Sequence, residues 1–157
     1  KASNALVCYT SQMFRVLSTK YIRLYDGVVE LLTLLKKKGK KIYLLSNAQY
    51  HFTHYELIHL DLYKYFDGVL ISSIEKCKKP DPEFFNVLVT RYDLDINKSI
   101  MIGNDKSTDI AGANNINMDS LYIYSNISPL NDKDTKIKAT YNIYDGDFTK
   151  ISSLIVK

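Results

Sequence analysis

The chain has 157 residues, of which 46% are apolar and 24% charged, as in a globular domain with a core of its own. The net charge is +4, and only three of the 21 basic residues are arginine, which argues against nucleic-acid binding because base and phosphate readers favour arginine. No apolar run approaches the ~18 residues of a membrane span. Two isolated cysteines, Cys8 and Cys77, and a start without an export signal predict a cytoplasmic protein.

Helical and strand-like patterns alternate along the chain, without an internal repeat or a linker. Helical spacing of apolar residues predicts helices over 12–24, from a cap at Asp26 to Gly39, and over 49–60, 82–92, 108–116 and 148–156. Short apolar runs predict strands over 41–46, 69–73, 99–103, 120–124 and 140–144. Because the strand runs lack polar alternation and are separated by helices, the fold class is α/β, a three-layer Rossmann-like parallel sheet with helices on both faces.

Ligands of such sheets bind beyond the carboxyl ends of the strands, so the polar residues at those ends form the candidate site. They are Ser46, Asn47, Ser72, Ser73, Asn104, Asp105, Asp109, Ser125 and Asn126, with Lys79 ahead of the helix that begins at Pro82. Hydroxyl groups and backbone N–H groups can bind phosphoryl oxygens, and a lysine can neutralise their charge. Carboxylate and amide oxygens suit Mg²⁺. A nucleophilic carboxylate at the end of another central strand is missing.

Three segments, in order, resemble the second, third and fourth motifs of the haloacid dehalogenase-like hydrolases. They are Leu-Leu-Ser-Asn at 44–47, Lys-Pro-Asp-Pro-Glu-Phe-Phe at 79–85, and Ile-Gly-Asn-Asp-Lys-Ser-Thr-Asp-Ile at 102–110. The resemblance covers residues 24–157, with supporting phrases at 24–28, 65–68 and 111–113. It implies a hydrolase core over 25–157 and a remnant of a helical cap segment over 1–24.

By this resemblance, Ser46 binds the transferring phosphoryl group, Asn47 lines the same pocket, and Lys79 stabilises the phosphorylated nucleophile. Mg²⁺ is held with the help of Asn104, Asp105 and Asp109, although the residues leave open which of the three is a ligand. Many relatives have Asp where this chain has Asn104, and a neutral ligand holds Mg²⁺ less strongly than a carboxylate.

The first motif of the family, an apolar strand that ends in Asp-x-Asp, has no counterpart at the right place. The other such pairs are Asp93 with Asp95, Asp132 with Asp134, and Asp145 with Asp147. We therefore expect an N-terminally truncated hydrolase whose sheet lacks a central strand between those that end at Ser46 and Gly103. The exposed strand edges then predict self-association. Residues 5–10 could fill the slot as a strand, or begin a cap helix, which we favour.

The resemblance implies an ancestral Mg²⁺-dependent hydrolysis of a small phosphorylated metabolite through an aspartyl-phosphate. Because the nucleophile is absent, we expect this chain to be inactive alone. The alternative is a non-catalytic phosphate-binding or protein-binding module on the same fold.

Overall fold

The computed structural model describes residues 3–18, 21–129 and 137–156, which form an α/β fold. In chain order its elements are α1 (Asn4–Ser18), α2 (Val28–Lys37), β1 (Tyr43–Ser46), α3 (Tyr50–His59), β2 (Gly68–Ile71), α4 (Ser72–Glu75), α5 (Pro82–Tyr92), β3 (Ile100–Gly103), a π-helical turn (Lys106–Ile110), α6 (Ala111–Asn115), β4 (Asp119–Ile123), β5 (Tyr141–Ile143) and α7 (Thr149–Ile155). Asp132 and Asp134 lie outside the described residues. Within the described ranges, no helix is long and apolar enough to cross a membrane.

The strands form two parallel sheets. β1 pairs with β2, and β3, β4 and β5 pair in that order. Among the described residues, neither β1 nor β3 has a strand on its other side. The missing central strand between β1 and β3 stays a prediction.

Helices cover the strands on two faces, which confirms the three-layer prediction. The core beneath α5 and α6 contains Leu45, Leu70, Phe84, Phe85, Leu88, Ala113 and Met118. The core beneath α2 and α7 contains Leu31, Leu35, Leu121, Ile123, Ile143 and Ile151. Met101 of β3 packs against the first core together with Leu45 of β1, so the two sheets share one core. Burial of these side chains supplies the main driving force that orders the sheet layer.

The start of α2 differs from the prediction. Gly27 precedes the helix in the left-handed region at φ 81°, and no side chain caps the first turn, so the predicted cap at Asp26 is wrong. A Cβ at Gly27 would also lie 3.1 Å from Thr149 Cγ2. The predicted stop is confirmed, since Gly39 adopts φ 70° just beyond Lys38, the C-cap of the helix.

The second and third predicted strand ends are followed by short helical turns. The predicted strand over 69–73 is too long, because Ser72 begins α4 and its hydroxyl accepts a hydrogen bond from Ala48 N at 3.0 Å. The predicted helix over 108–116 is instead a π-helical turn and the short α6. Both differences arise because side chains at strand ends bond neighbouring backbone groups and redirect the chain.

Residues 5–10 lie within α1, so the strand alternative for them is wrong. α1 packs against α3, where the rings of Phe14 and Phe52 lie 6.2 Å apart. Most of its other large apolar side chains are exposed, including Leu6, Met13 and Leu17. α1 is therefore the least covered helix of the described chain.

Candidate functional site

The candidate site lies at the carboxyl ends of β1 and β3, where the structure brings the predicted residues together. Ser46 is the last residue of β1, and Asn104 directly follows β3. Lys79 reaches this edge from the loop ahead of α5, whose first turn is capped by Asp81 through a hydrogen bond from Glu83 N at 3.0 Å.

A buried ion pair joins the two strand ends. Lys79 Nζ lies 2.8 Å from Asp109 Oδ1 and donates a hydrogen bond to the Leu45 carbonyl at 2.6 Å. Lys79 is 8% exposed and Asp109 is 5% exposed. Charges this deeply buried are tolerated only when paired and hydrogen-bonded, so the contacts fix the ammonium beside Ser46.

The π-helical turn places Asp109 for this role. It returns the Asp109 carboxylate beneath the end of β3, where Oδ2 accepts hydrogen bonds from Asn104 N at 3.0 Å and Asp105 N at 3.1 Å. A Cβ at Gly103 would overlap the same carboxylate, so glycine is required there by close approach. Both Asp109 oxygens are thus engaged by protein groups.

Asp105 is partly engaged as well. Its Oδ1 accepts hydrogen bonds from Ser107 N at 2.7 Å, from Ser107 Oγ at 2.6 Å and from Thr108 N at 3.2 Å, which caps the π-helical turn. Burial raises the pKa of Asp105, but the hydrogen bonds from Ser107 and Thr108 outweigh it and hold the pKa below its ordinary value. Asp105 is therefore an anion at neutral pH.

The side chain of Asn104 faces a pair of buried serines in the loop after β4. Its Nδ2 lies 3.4 Å from Ser125 Oγ and 3.5 Å from Ser128 Oγ, and Ser128 Oγ also accepts from Ser125 N at 2.9 Å. Sequence reasoning singled out Ser125 but missed Ser128. The Ser-x-x-Ser spacing directly after a predicted strand was the available signal, since such hydroxyls often close a turn.

Asn47 bonds the backbone of Lys79 rather than a neighbouring side chain. Its Nδ2 donates to the Lys79 carbonyl and its Oδ1 accepts from Lys79 N, both at 2.8 Å. The Ser72 and Ser73 hydroxyls accept from Ala48 N and Tyr50 N, which fixes the loop that follows Asn47. The residues at the end of β2 thus support the site rather than line it.

The described residues do not by themselves fit a Mg²⁺ site. Asp109 is engaged by Lys79 and two backbone N–H groups, which leaves Asn104 and Asp105 as the residues with oxygens able to bind a cation. Within the described ranges, no group of three or more His, Cys, Asp or Glu side chains could hold a metal ion. Mg²⁺ usually needs carboxylates together with waters or phosphate oxygens, so two oxygen donors make a weak site at best.

Comparisons with known proteins agree with this arrangement. The sequence profile described as haloacid dehalogenase-like hydrolase matches residues 3–123. The chain belongs to this family. The family that the resemblance implies is confirmed, although the profile match begins at residue 3 rather than at 24 and ends at 123.

Relatives of this chain include proteins named as phosphatases. It is 26% identical over 102 residues to the glyceraldehyde 3-phosphate phosphatase of Pyrococcus abyssi, covering 65% of this chain and 43% of that protein. With the enzyme of the same name from Methanopyrus kandleri it is 27% identical over 134 residues, covering 83% and 55%. The chain thus spans about half the length of these relatives.

Solved structures share the fold. The HAD-hydrolase YfnB from Bacillus subtilis, bound to magnesium, matches with a TM-score of 0.73 and 22% identity, covering 86% of this chain and 56% of that one. The HAD phosphatase from Thermococcus onnurineus matches with a TM-score of 0.72 and 23% identity, covering 85% and 58%.

Proposed function

We propose that this chain is the core of a phosphomonoesterase that acts on a small phosphorylated metabolite. The observation that carries the proposal is the buried Lys79 ammonium, held between Leu45 of β1 and Asp109 after β3. A fixed cation at the meeting point of two strand ends suits a phosphoryl group, because phosphoryl transfer depends mainly on positioning and charge neutralisation. The phosphatases among the relatives support the same reaction class.

In this proposal, the Ser46 hydroxyl binds a phosphoryl oxygen and Lys79 neutralises the charge on the group. Lys79 donates to Leu45 O and contacts Asp109, and an ammonium has three donors, so one N–H remains for a phosphoryl oxygen. Asp109 acts through Lys79 by fixing its position. Asn47 is expected to line the pocket, and its contact with the Lys79 backbone is consistent with that location.

The nucleophile belongs to the proposal as well. Among the described residues no strand lies between β1 and β3, and no strand-end carboxylate stands there. We propose that a strand from outside this sequence fills the gap and supplies the carboxylate, and that residues 1–24 are the remnant of a cap segment. A Mg²⁺ ion would neutralise phosphate charge, with Asn104 and Asp105 as its ligands from this chain and the others from the added strand. A cytoplasmic location fits a metabolite substrate.

Hydrolysis of p-nitrophenyl phosphate, with and without Mg²⁺, tests the proposal on the natural full-length protein and on the 157-residue chain. We expect turnover by the full-length protein and none by the chain alone. Lys79→Met in the full-length protein should lower kcat by about 100-fold or more, because a preorganised charge at the phosphoryl group is lost. Lys78→Met is the matched control, because the adjacent Lys78 is exposed, and it should leave kcat unchanged.

A full-length protein that is inert towards phosphate esters would contradict the enzyme and favour the alternative, a non-catalytic phosphate-binding module. The observation that favours this alternative is that protein groups already bond Asp109 and Asp105 Oδ1, which leaves fewer oxygens for a catalytic metal ion. Equal activity of Lys79→Met and the parent would remove Lys79 from the site.

Self-association of the 157-residue chain through the edges of β1 and β3 stays a prediction. Unpaired strand edges and the apolar side chains beside them favour pairing between copies. Sedimentation velocity should detect dimers or larger species at micromolar concentration. A clean monomer across that range would contradict the prediction.

A further inference from the structure

We propose that Asn47 is a positioning residue that holds Lys79 in place through the Lys79 backbone. The proposal rests on the proposed function, because it assigns Asn47 a part in presenting the phosphate-binding ammonium. It adds to the role that the family resemblance implies, in which Asn47 lines the pocket.

The contact between the two residues is reciprocal. Asn47 Nδ2 donates to Lys79 O, and Lys79 N donates to Asn47 Oδ1, each at 2.8 Å. The residues are 32 positions apart in sequence, so the pair ties the loop ahead of α5 to the end of β1. A carboxamide is the side-chain group that supplies a donor and an acceptor side by side, so it can satisfy both peptide groups of one residue.

Three residues then fix Lys79 at both of its ends through four contacts. The Asn47 amide holds its backbone, whereas Leu45 O and Asp109 Oδ1 hold its ammonium. Leu45 and Asn47 flank Ser46 in sequence. The backbone and the ammonium of Lys79 are therefore both held by neighbours of the proposed phosphate-binding hydroxyl. A lysine has several rotatable bonds, and fixing its backbone lowers the entropy cost of holding its ammonium in one position.

The loop also offers a matched control. Asn115 Nδ2 donates to the carbonyl of Pro80, the next residue, at 3.2 Å, and Asn115 is exposed. Removing this bond perturbs the same loop from its other side without touching the peptide groups of Lys79. Asn115→Ala therefore reports the effect of general loosening of the loop.

The experiment uses the 157-residue chain and its Asn47→Ala, Asn47→Asp and Asn115→Ala variants, with folding checked by circular dichroism. Amine acetylation followed by fragment-ion mass spectrometry gives the labelling rate of Lys79 relative to the exposed Lys78. In Asn47→Ala we expect this ratio to rise roughly tenfold, since two hydrogen bonds no longer oppose opening of the loop. Asn47→Asp keeps the acceptor for Lys79 N and should show a smaller rise. Asn115→Ala should leave the ratio unchanged.

Calorimetric titration with inorganic phosphate is the second readout, and it separates positioning from a merely structural role. If Asn47 presents the ammonium, Asn47→Ala should weaken phosphate binding by roughly tenfold, whereas Asn115→Ala should not change it. An unchanged labelling ratio in folded Asn47→Ala and Asn47→Asp would overturn the proposal, as would equal effects of Asn47→Ala and Asn115→Ala. If the parent chain binds no phosphate, the labelling ratio alone decides whether Asn47 positions Lys79, and the activity of the full-length protein decides the proposed function.

Discussion

Two carboxylates at opposite ends of the strands each pair with lysine and accept hydrogen bonds from backbone N–H groups, but they differ in burial. Asp109, after β3, is buried and pairs with the buried Lys79. Asp67, just before β2, accepts from Ile42 N at 2.9 Å and pairs with Lys36 at 2.9 Å and Lys41 at 3.2 Å, both of which reach solvent. The first carboxylate joins β1 to β3, and the second joins β1 to β2 and to the end of α2.

The two ion-pair sites differ in how much hydration their charges lose on folding. Exposed lysines keep much of their hydration, so the Asp67 contacts cost little and stabilise the start of the sheet modestly. Burial removes hydration from Lys79 and Asp109, and such a pair is often no more stable than apolar side chains of the same size. Stability alone therefore does not explain the buried pair, whereas the fixed cation that we propose for a phosphoryl group gives it a reason.

The largest expected effect comes from neutralising the buried carboxylate. Asp109→Asn leaves the Lys79 ammonium without its counter-charge and turns an amide towards it, so we expect a loss of about 3–5 kcal/mol in the free energy of unfolding. Urea denaturation measures this loss. Lys98→Ala, which breaks the exposed pair between Lys98 and Asp95, is the control and should leave the urea midpoint unchanged. Equal urea midpoints for Asp109→Asn and the parent would show that the Lys79–Asp109 pair contributes no more to stability than an exposed ion pair.

An intermediate effect is expected at Gly103. In Gly103→Ala the new Cβ overlaps the Asp109 carboxylate, which must shift away from Lys79 and from the N–H groups of Asn104 and Asp105. Overpacking of this kind should cost about 1–3 kcal/mol in the free energy of unfolding. The double variant Gly103→Ala/Asp109→Ala should be no less stable than Asp109→Ala, because the collision is gone. If the losses in the free energy of unfolding of the two single variants simply added in the double variant, the overlap between the new Cβ and the carboxylate would be contradicted.

The smallest effect is the pH dependence set by Asp67. The hydrogen bond from Ile42 N, aided by Lys36 and Lys41, lowers the pKa of Asp67 from 3.8 to about 2. The unfolded chain therefore binds this proton first as the pH falls, so the stabilisation is complete above about pH 4 and disappears towards pH 2. We expect it to contribute about 1–2 kcal/mol after solvent screening.

Thermal unfolding at intervals between pH 4 and pH 2 checks this contribution by comparing the parent with Asp67→Asn. The variant should lose less stability than the parent across this window, because it has no carboxylate to protonate there. Asp61→Asn is the control, since Asp61 pairs with Lys64 at an exposed position within one turn. Parallel pH profiles for the parent and Asp67→Asn would contradict the lowered pKa.

The sequence was sufficient to predict the positions of the strands and the residues at their carboxyl ends. Ser46 and Asn104 lie at one edge because parallel strands bring their carboxyl ends together, a rule that needs no side-chain detail. Lys79 reaches this edge from the loop ahead of α5. The helix over 82–92 was also predicted with its bounds, since Pro82 follows the capping Asp81.

The partners of each side chain could not be predicted. Asp109 could have been a metal ligand until the π-helical turn placed it against Lys79 and two backbone N–H groups. The sequence predicted Asp26 as the cap of α2, but Gly27 takes that position, where the left-handed backbone and the close approach of Thr149 favour glycine. Such outcomes depend on contacts between residues distant in sequence, which local patterns do not record.

The most direct test of the central claim is a titration of the isotopically labelled 157-residue chain with inorganic phosphate, followed by amide NMR. We expect the largest shift changes at Ser46 and Asn104, at the carboxyl ends of β1 and β3, and at Lys79 beside them. The competing anion site is the basic run over 36–41, at the amino end of β1. Shift changes confined to residues 36–41 and Asp67 would contradict the assignment of the phosphate site.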